Sequence, residues 1–185
     1  ATENLEQNSV LCRFPARVQW LTDTLNIDKS GLQTDCPELN DWMQKLAPEQ
    51  LSIMFAQEYL DNPISAFAHT LLRIDSKASV ADPSQIHHAV ALNYTVGGDS
   101  SDNFLVYAIK SMSGGYDNLI EIDPYPEKLA KYLQEDERDA WTYQLALTPV
   151  EVQQIMLHVW ETKDLKLPYY FTTDNCASEI LRLID

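Results

Sequence analysis

LSIMFAQEYL (51–60), AFAHTLLRID (66–75), HHAVALNYTV (87–96) and NFLVYAIKSM (103–112) follow one another through the middle of the chain, each rich in Val, Ile, Leu, Phe or Tyr. Asn-Pro, Asp-Pro, Gly-Gly and Asp-Ser pairs punctuate them, and such residues bound strands because they accept the backbone angles of turns. Each run is expected to be a strand. NLIEID (118–123) and AWTYQLAL (140–147) extend the series, and connections this short favour antiparallel pairing. Between them PYPEKLAKYLQEDERD (124–139) is polar enough for a surface helix, with QEDERD as its solvated end.

Outward from this block the pattern turns helical. Phe14, Val18, Trp20, Leu21 and Leu25 fall near helical spacing, with Pro15 tolerable in a first turn. CPELNDWMQKLA (36–47) reads as a second short helix, Leu39, Trp42, Met43 and Leu46 on one side, so residues 1–47 or so form a helical cap. Towards the other end, TPVEVQQIMLHVWETK (148–163) carries a helix start in full: Thr148 as N-cap, Pro149 at the first position and Glu151 closing a capping box. NCASEILRLID (175–185) sets Ile180, Leu181 and Ile184 on one stripe with Asp174 or Asn175 as the cap, which puts Cys176 in a first helical turn. The sum is an α+β chain: one domain over residues 1–185, a central, largely antiparallel sheet flanked by helices. The last helical pattern stops without a Gly cap or polar tail, as expected of a domain within a longer protein.

Composition narrows the function. Forty-five per cent hydrophobic and 22% charged residues are globular usage and exclude a disordered chain. A net charge of −15 repels nucleic-acid phosphates and anionic headgroups at long range, so nucleic acid is not an expected partner. No apolar run approaches the ~18–20 residues of a membrane helix. No H-x-x-x-H or C-x-x-C spacing speaks for a metal, and Gly97-Gly98 and Gly114-Gly115 lack the strand-loop-helix setting of a phosphate cradle. No cofactor is expected. Three cysteines are an odd number. Either Cys12 and Cys36 are bridged, closing a loop of about 25 residues worth roughly 3 kcal/mol in an oxidising compartment, or all three are buried free thiols.

Cys176 is the residue best placed for chemistry. Backbone N–H groups and the positive end of a helix favour a thiolate, and the same N–H groups can stabilise the oxyanion of acyl transfer. The plain structural reading is a small apolar anchor for the last helix. Asp174 and Asn175 beside it act in both directions, a carboxylate raising the thiol pKa and a cap fixing the turn. A thiol nucleophile needs a base, and His69, polar in the middle of an apolar run, is the leading candidate. A strand histidine satisfied by a carbonyl is the alternative. His87 and His88 are adjacent and expected at the surface of a strand entrance, and His158 reads as helix packing or solvent face. Asn93, in the next strand, is the candidate to orient the imidazole, with Glu58, Asp75 and Tyr94 as competitors. Ser65, Tyr116 and Asn175 are candidate substrate-binding residues.

With these residues in place, five segments in order and spacing carry a resemblance: CRFPARVQWL (12–21), LSIMFAQEYLDNPISAFAHTLLRID (51–75), IKSMSGGY (109–116), WTYQLALTPVEVQQIMLHVWE (141–161) and YYFTTDNCASEILRLID (169–185). Together they resemble the Lnb N-terminal periplasmic domain family, itself similar to the circularly permuted branch of papain-like NlpC-type thiol enzymes, where a strand histidine precedes a helix cysteine. The resemblance implies the base role for His69 in A-H-T-L-L-R and the nucleophile role for Cys176 in D-N-C-A-S, while Asn93 follows from its position alone. One departure is Ala68, where relatives are expected to carry glycine. Implied too are a cell-envelope location and ping-pong acyl transfer through a thioester on Cys176, from a phospholipid to a lipoprotein amine. A peptidoglycan amidase or endopeptidase is the second enzymatic expectation, and a non-catalytic envelope interaction module the third.

Overall fold

A computed structural model describes residues 9–32, 35–57, 69–97, 102–131, 133 and 139–185. Its core element is an antiparallel sheet. The strands are β1 (Pro48–Ala56), β2 (His69–Ser76), β3 (Val90–Gly97), β4 (Tyr116–Pro124), β5 (Ala140–Gln144) and β6 (Leu167–Tyr169), side by side in the order β5-β1-β2-β3-β4-β6. The helices are α1 (Val10–Arg13), α2 (Pro15–Leu25), α3 (Pro37–Leu46), α4 (Lys77–Ala81), α5 (Phe104–Ser113), α6 (Tyr125–Ala130), α7 (Pro149–Thr162) and α8 (Cys176–Ile184). The architecture is α+β, with helices on both faces of the sheet.

Alternation along the strands divides the apolar residues between two cores. Leu51, Leu72, Ile74, Leu92 and Tyr94 point to the face covered by α7 and α8, where they meet Val152, Met156, Val159, Ile180 and Leu183. Met54, Ala56, Leu71 and Ala91 point to the other face and pack with Ala89 and Tyr125. The α7 start is built as its sequence demands: Thr148 Oγ1 accepts from the Glu151 N–H at 3.3 Å, and Glu151 Oε2 accepts from the Thr148 N–H at 2.7 Å. Thr148 holds the Glu151 carboxyl below the usual carboxylate range through these bonds.

One expectation fails. NFLVYAIKSM is not a strand but the body of α5, capped by the Asn103 side chain, which accepts from the Val106 N–H at 3.0 Å. Gly114 ends it in the left-handed region at φ 74°, a conformation that favours glycine. The β-forming residue types misled because propensity yields to capping and tertiary context. His87 and His88 are exposed at the entrance to β3, as expected, where they end a 3₁₀ turn (Pro83–His88) with ring centroids 4.2 Å apart.

The sheet opens at one place. The β1–β2 ladder runs to Ala56↔His69, and the β3–β4 ladder runs to Gly97↔Asp117. Between β2 and β3, however, pairing covers only Leu72↔Leu92, Arg73↔Ala91 and Ile74↔Val90. His69, Thr70 and Asn93 lie beyond the last of these pairs.

The N-terminal helices are fastened to α7, away from this opening. The structure joins Cys12 to Cys36 with Cα atoms 5.4 Å apart, Trp160 Nε1 donates to the Cys12 carbonyl at 2.8 Å, and the buried Glu161 carboxylate accepts from the Arg17 N–H at 3.0 Å. Alkylation without reductant followed by intact-mass spectrometry should count a single free thiol; three would remove the bridge. Replacing both cysteines by serine should lower stability by about 3 kcal/mol in denaturant titrations.

Candidate active site

The last helix begins in a turn that the sequence closes on itself. Asn175 Oδ1 accepts from the N–H groups of Ala177 and Ser178, both at 3.1 Å, and Ser178 Oγ returns the favour to the Asn175 N–H at 2.8 Å. Asn175 Nδ2 donates to the Phe171 carbonyl at 2.9 Å, so both ends of its amide are engaged in shaping the helix start. Three neighbours hold the preceding turn. The Phe171 N–H donates to the Ser111 carbonyl of α5 at 2.9 Å, Asn118 Nδ2 reaches the Asp174 carbonyl at 3.5 Å, and Arg182 pairs with the Asp174 carboxylate at 2.5 Å. A Cβ on Gly114 would meet the Tyr170 ring at 2.5 Å, so glycine there lets α5 close onto this turn.

Cys176 thereby stands as the first residue of α8, partly buried, against the open end of β2. Burial pushes its thiol pKa up, but a hydrogen bond from His69, the charge on that ring, and N–H groups of Thr70 and Ala177 outweigh it, leaving the pKa below the ordinary thiol value. The Asp174 carboxylate, held below its usual range by the Thr173 hydroxyl and Arg182, spends its charge on that arginine.

His69 Nε2 lies 2.5 Å from Asn93 Oδ1. An amide oxygen only accepts, so Nε2 carries the proton there and Nδ1 is the ring nitrogen left for the sulfur. The gap between β2 and β3 admits this side-chain pair where a continued ladder would have run. The structure thus brings Cys176, His69 and Asn93 together. Two other candidates for orienting the ring are occupied elsewhere. Asp75 accepts from Arg73 Nε and Ser79 Oγ, each at 3.0 Å, and Tyr94 belongs to the core on the α7–α8 face. Ser65, Glu58 and Ala68 lie outside the described residues. Tyr116 is buried, with its hydroxyl donating to Asp102 Oδ2 at 2.6 Å and its ring 5.4 Å from that of Tyr107.

Two neighbours of the sulfur escaped the sequence reading. Thr70 acts through its backbone N–H, which no residue type reveals. Tyr169, buried on β6, has its hydroxyl pKa pushed up to about 12 by burial and by the nearby Cys176 and Tyr107, so it is a protonated group close to the thiol. Its signal was the aromatic stretch before the helix. Among the described residues, no cluster of His, Cys, Asp and Glu is arranged to hold a metal ion, and no helix is long and apolar enough to cross a membrane.

A family model described as the Lnb N-terminal periplasmic domain matches residues 38–185, which takes in β1 to β6 and all three of Cys176, His69 and Asn93. No curated protein and no solved structure matches the chain.

Proposed function

The chain belongs to the Lnb N-terminal periplasmic domain family, and from that premise we propose that it is a cell-envelope thiol acyltransferase or hydrolase working through an acyl-thioester on Cys176. The observation that carries the reading is the contact chain from sulfur to imidazole to amide: Cys176 at a helix start, its pKa lowered through His69, and His69 held by Asn93. A structural thiol needs none of these partners.

In the proposed first half-reaction the Cys176 thiolate attacks the carbonyl carbon of an ester or amide. The carbonyl electrons move onto oxygen, and the intermediate collapses with the C–S bond formed and the bond to the leaving oxygen or nitrogen broken. The His69 imidazolium gives that leaving group its proton from Nδ1. In the second half an amine or water attacks the thioester, Nδ1 takes its proton, and sulfur departs as thiolate. Asn93 keeps the ring in the tautomer and orientation both halves need.

Resemblance points to a phospholipid as acyl donor and a lipoprotein amine as acceptor. Intact-mass spectrometry after incubation with phospholipid, native protein beside Cys176→Ala, tests this. The expected result is a fatty-acyl adduct on the native protein alone, labile to hydroxylamine. No adduct with a thiol still reactive to iodoacetamide would transfer the assignment to amide substrates such as peptidoglycan. An unreactive thiol would leave a non-catalytic envelope module.

A further inference from the structure

At its β5 edge the sheet carries a row of aromatic side chains that ends beside the Cys176 sulfur. Phe55 of β1 pairs with Thr70 of β2 on one side and with Trp141 of β5 on the other. Cross-strand partners share a face, so Trp141, Phe55 and Thr70 stand in line. The next line on that face is Tyr143, Ile53 and Leu72. Leu72 belongs to the core under α7 and α8, with Ile53 packed against it, and Cys176 packs against the same core. Row and sulfur are therefore on one side of the sheet. Thr70 joins them, because its N–H donates to the sulfur.

The covering helices stop short of this row. Leu51 and Leu72 are fully buried, whereas Phe55 is 38% exposed, Trp141 44% and Tyr143 62%. The Phe55 and Trp141 rings lie 6.4 Å apart and are tilted by 36°, which makes a shallow bent floor. From Thr70 to Trp141 the row crosses two strand spacings, about 10 Å. None of its side chains is charged, in a chain that carries −15. Arg73 and Asp75 of β2 alternate to the opposite face, where the Arg73 guanidinium lies over the Tyr125 ring at 4.7 Å. A sugar ring would call for carboxylate or amide partners around it, and no such side chain stands in the row. A hydrocarbon chain asks only for apolar contact.

We infer that Phe55 and Trp141 hold the hydrocarbon chain of the ester or amide whose carbonyl Cys176 attacks, and thereby select its length; this rests on the acyl-thioester reading of Cys176.

Labelling of Cys176 in the whole chain by N-hexyliodoacetamide and by N-methyliodoacetamide, timed by intact-mass spectrometry without reductant, tests this. The two reagents share one reacting carbon, and glutathione gives the ratio of their intrinsic rates. After that correction the hexyl reagent should label at least about tenfold faster, as its added methylenes settle on the aromatic row. Trp141→Ala and Phe55→Ala should each lower the hexyl-to-methyl ratio by about threefold or more. Ile109→Ala, on the exposed apolar side of α5, should leave the ratio as it is. The amide spectrum of each variant checks its fold. A native ratio near one, or an undiminished ratio in folded Trp141→Ala and Phe55→Ala, would overturn the aromatic row as a chain site and leave the reactive thiol in place. A thiol that neither reagent labels would overturn the acyl-thioester reading itself, and the chain site with it.

Discussion

Replacing His69 by alanine is expected to slow alkylation of Cys176 by iodoacetamide near pH 7 by about tenfold or more, and to move the rise of that rate to higher pH. Burial works against the thiolate, and the His69 hydrogen bond and charge, with the Thr70 and Ala177 N–H groups, work for it and prevail. In the native protein the thiolate fraction therefore climbs at a lower pH than in an ordinary thiol. Without the ring, burial opposes only two backbone donors, and the climb is delayed. Stability follows the same sign: a depressed folded pKa stabilises above the unfolded thiol's pKa, and that increment disappears as pH falls through the folded value. The variant should thus lose stability on the alkaline side and little in acid. Under the proposed mechanism turnover should fall by about 10²–10⁴-fold, because the ring there also carries the proton. Rates measured from about pH 5 to 10 by mass spectrometry check the first claim; superimposable native and variant profiles would mean that His69 does not activate the sulfur.

Ile180→Ala is expected to cost about 2–5 kcal/mol, the largest single-residue loss near the site. Ile180 is 1% exposed and one turn beyond Cys176, packed in the core with Leu72, Leu92, Tyr94 and Met156. Removing its branch leaves a void between α8 and the sheet, and the helix that presents the sulfur loses its anchor. In a chain of this size the melting temperature should drop by roughly 5–15 °C. Its neighbour Leu181 is 59% exposed, and Leu181→Ala should change stability by less than about 0.5 kcal/mol. Urea titrations of the pair give the test. Equal losses in the two variants would place α8 differently on the sheet.

How far residues announce structure differs from element to element. The α7 start was legible because Thr148, Pro149 and Glu151 satisfy a purely local geometry, and the α8 start for the same reason at Asn175. Five of the six strands in the order follow apolar runs read from alternation and turn residues; β6, three residues long, was too short to show either. α5 was misread because its large apolar residues do not mark a buried face. Phe104, Leu105, Ile109 and Met112 are exposed while Ser111 is buried, so the polar and apolar sides that identify a helix are inverted. Asn103 and Gly114 bracketed it, and capping residues were the better signal. Within the site, Cys176 and His69 stood out as reactive types in conspicuous positions. The His69–Asn93 contact depends on where the β2–β3 ladder stops, and the end of a ladder has no local signature.

The bridge between Cys12 and Cys36 bears on how a chain with three cysteines matures in the periplasm. Three pairings compete while it is unfolded. The native one spans 24 residues, whereas either pairing with Cys176 closes a loop roughly six times longer, an entropic handicap of about 1.5 kcal/mol and roughly tenfold in encounter. Oxidation of the nascent chain therefore runs downhill towards the native partner before any tertiary contact forms. Once α8 docks, the remaining sulfur is partly sheltered from exchange. Spacing along the chain does the sorting, so that an oxidising environment delivers one clasp and one spare thiol without a dedicated guard.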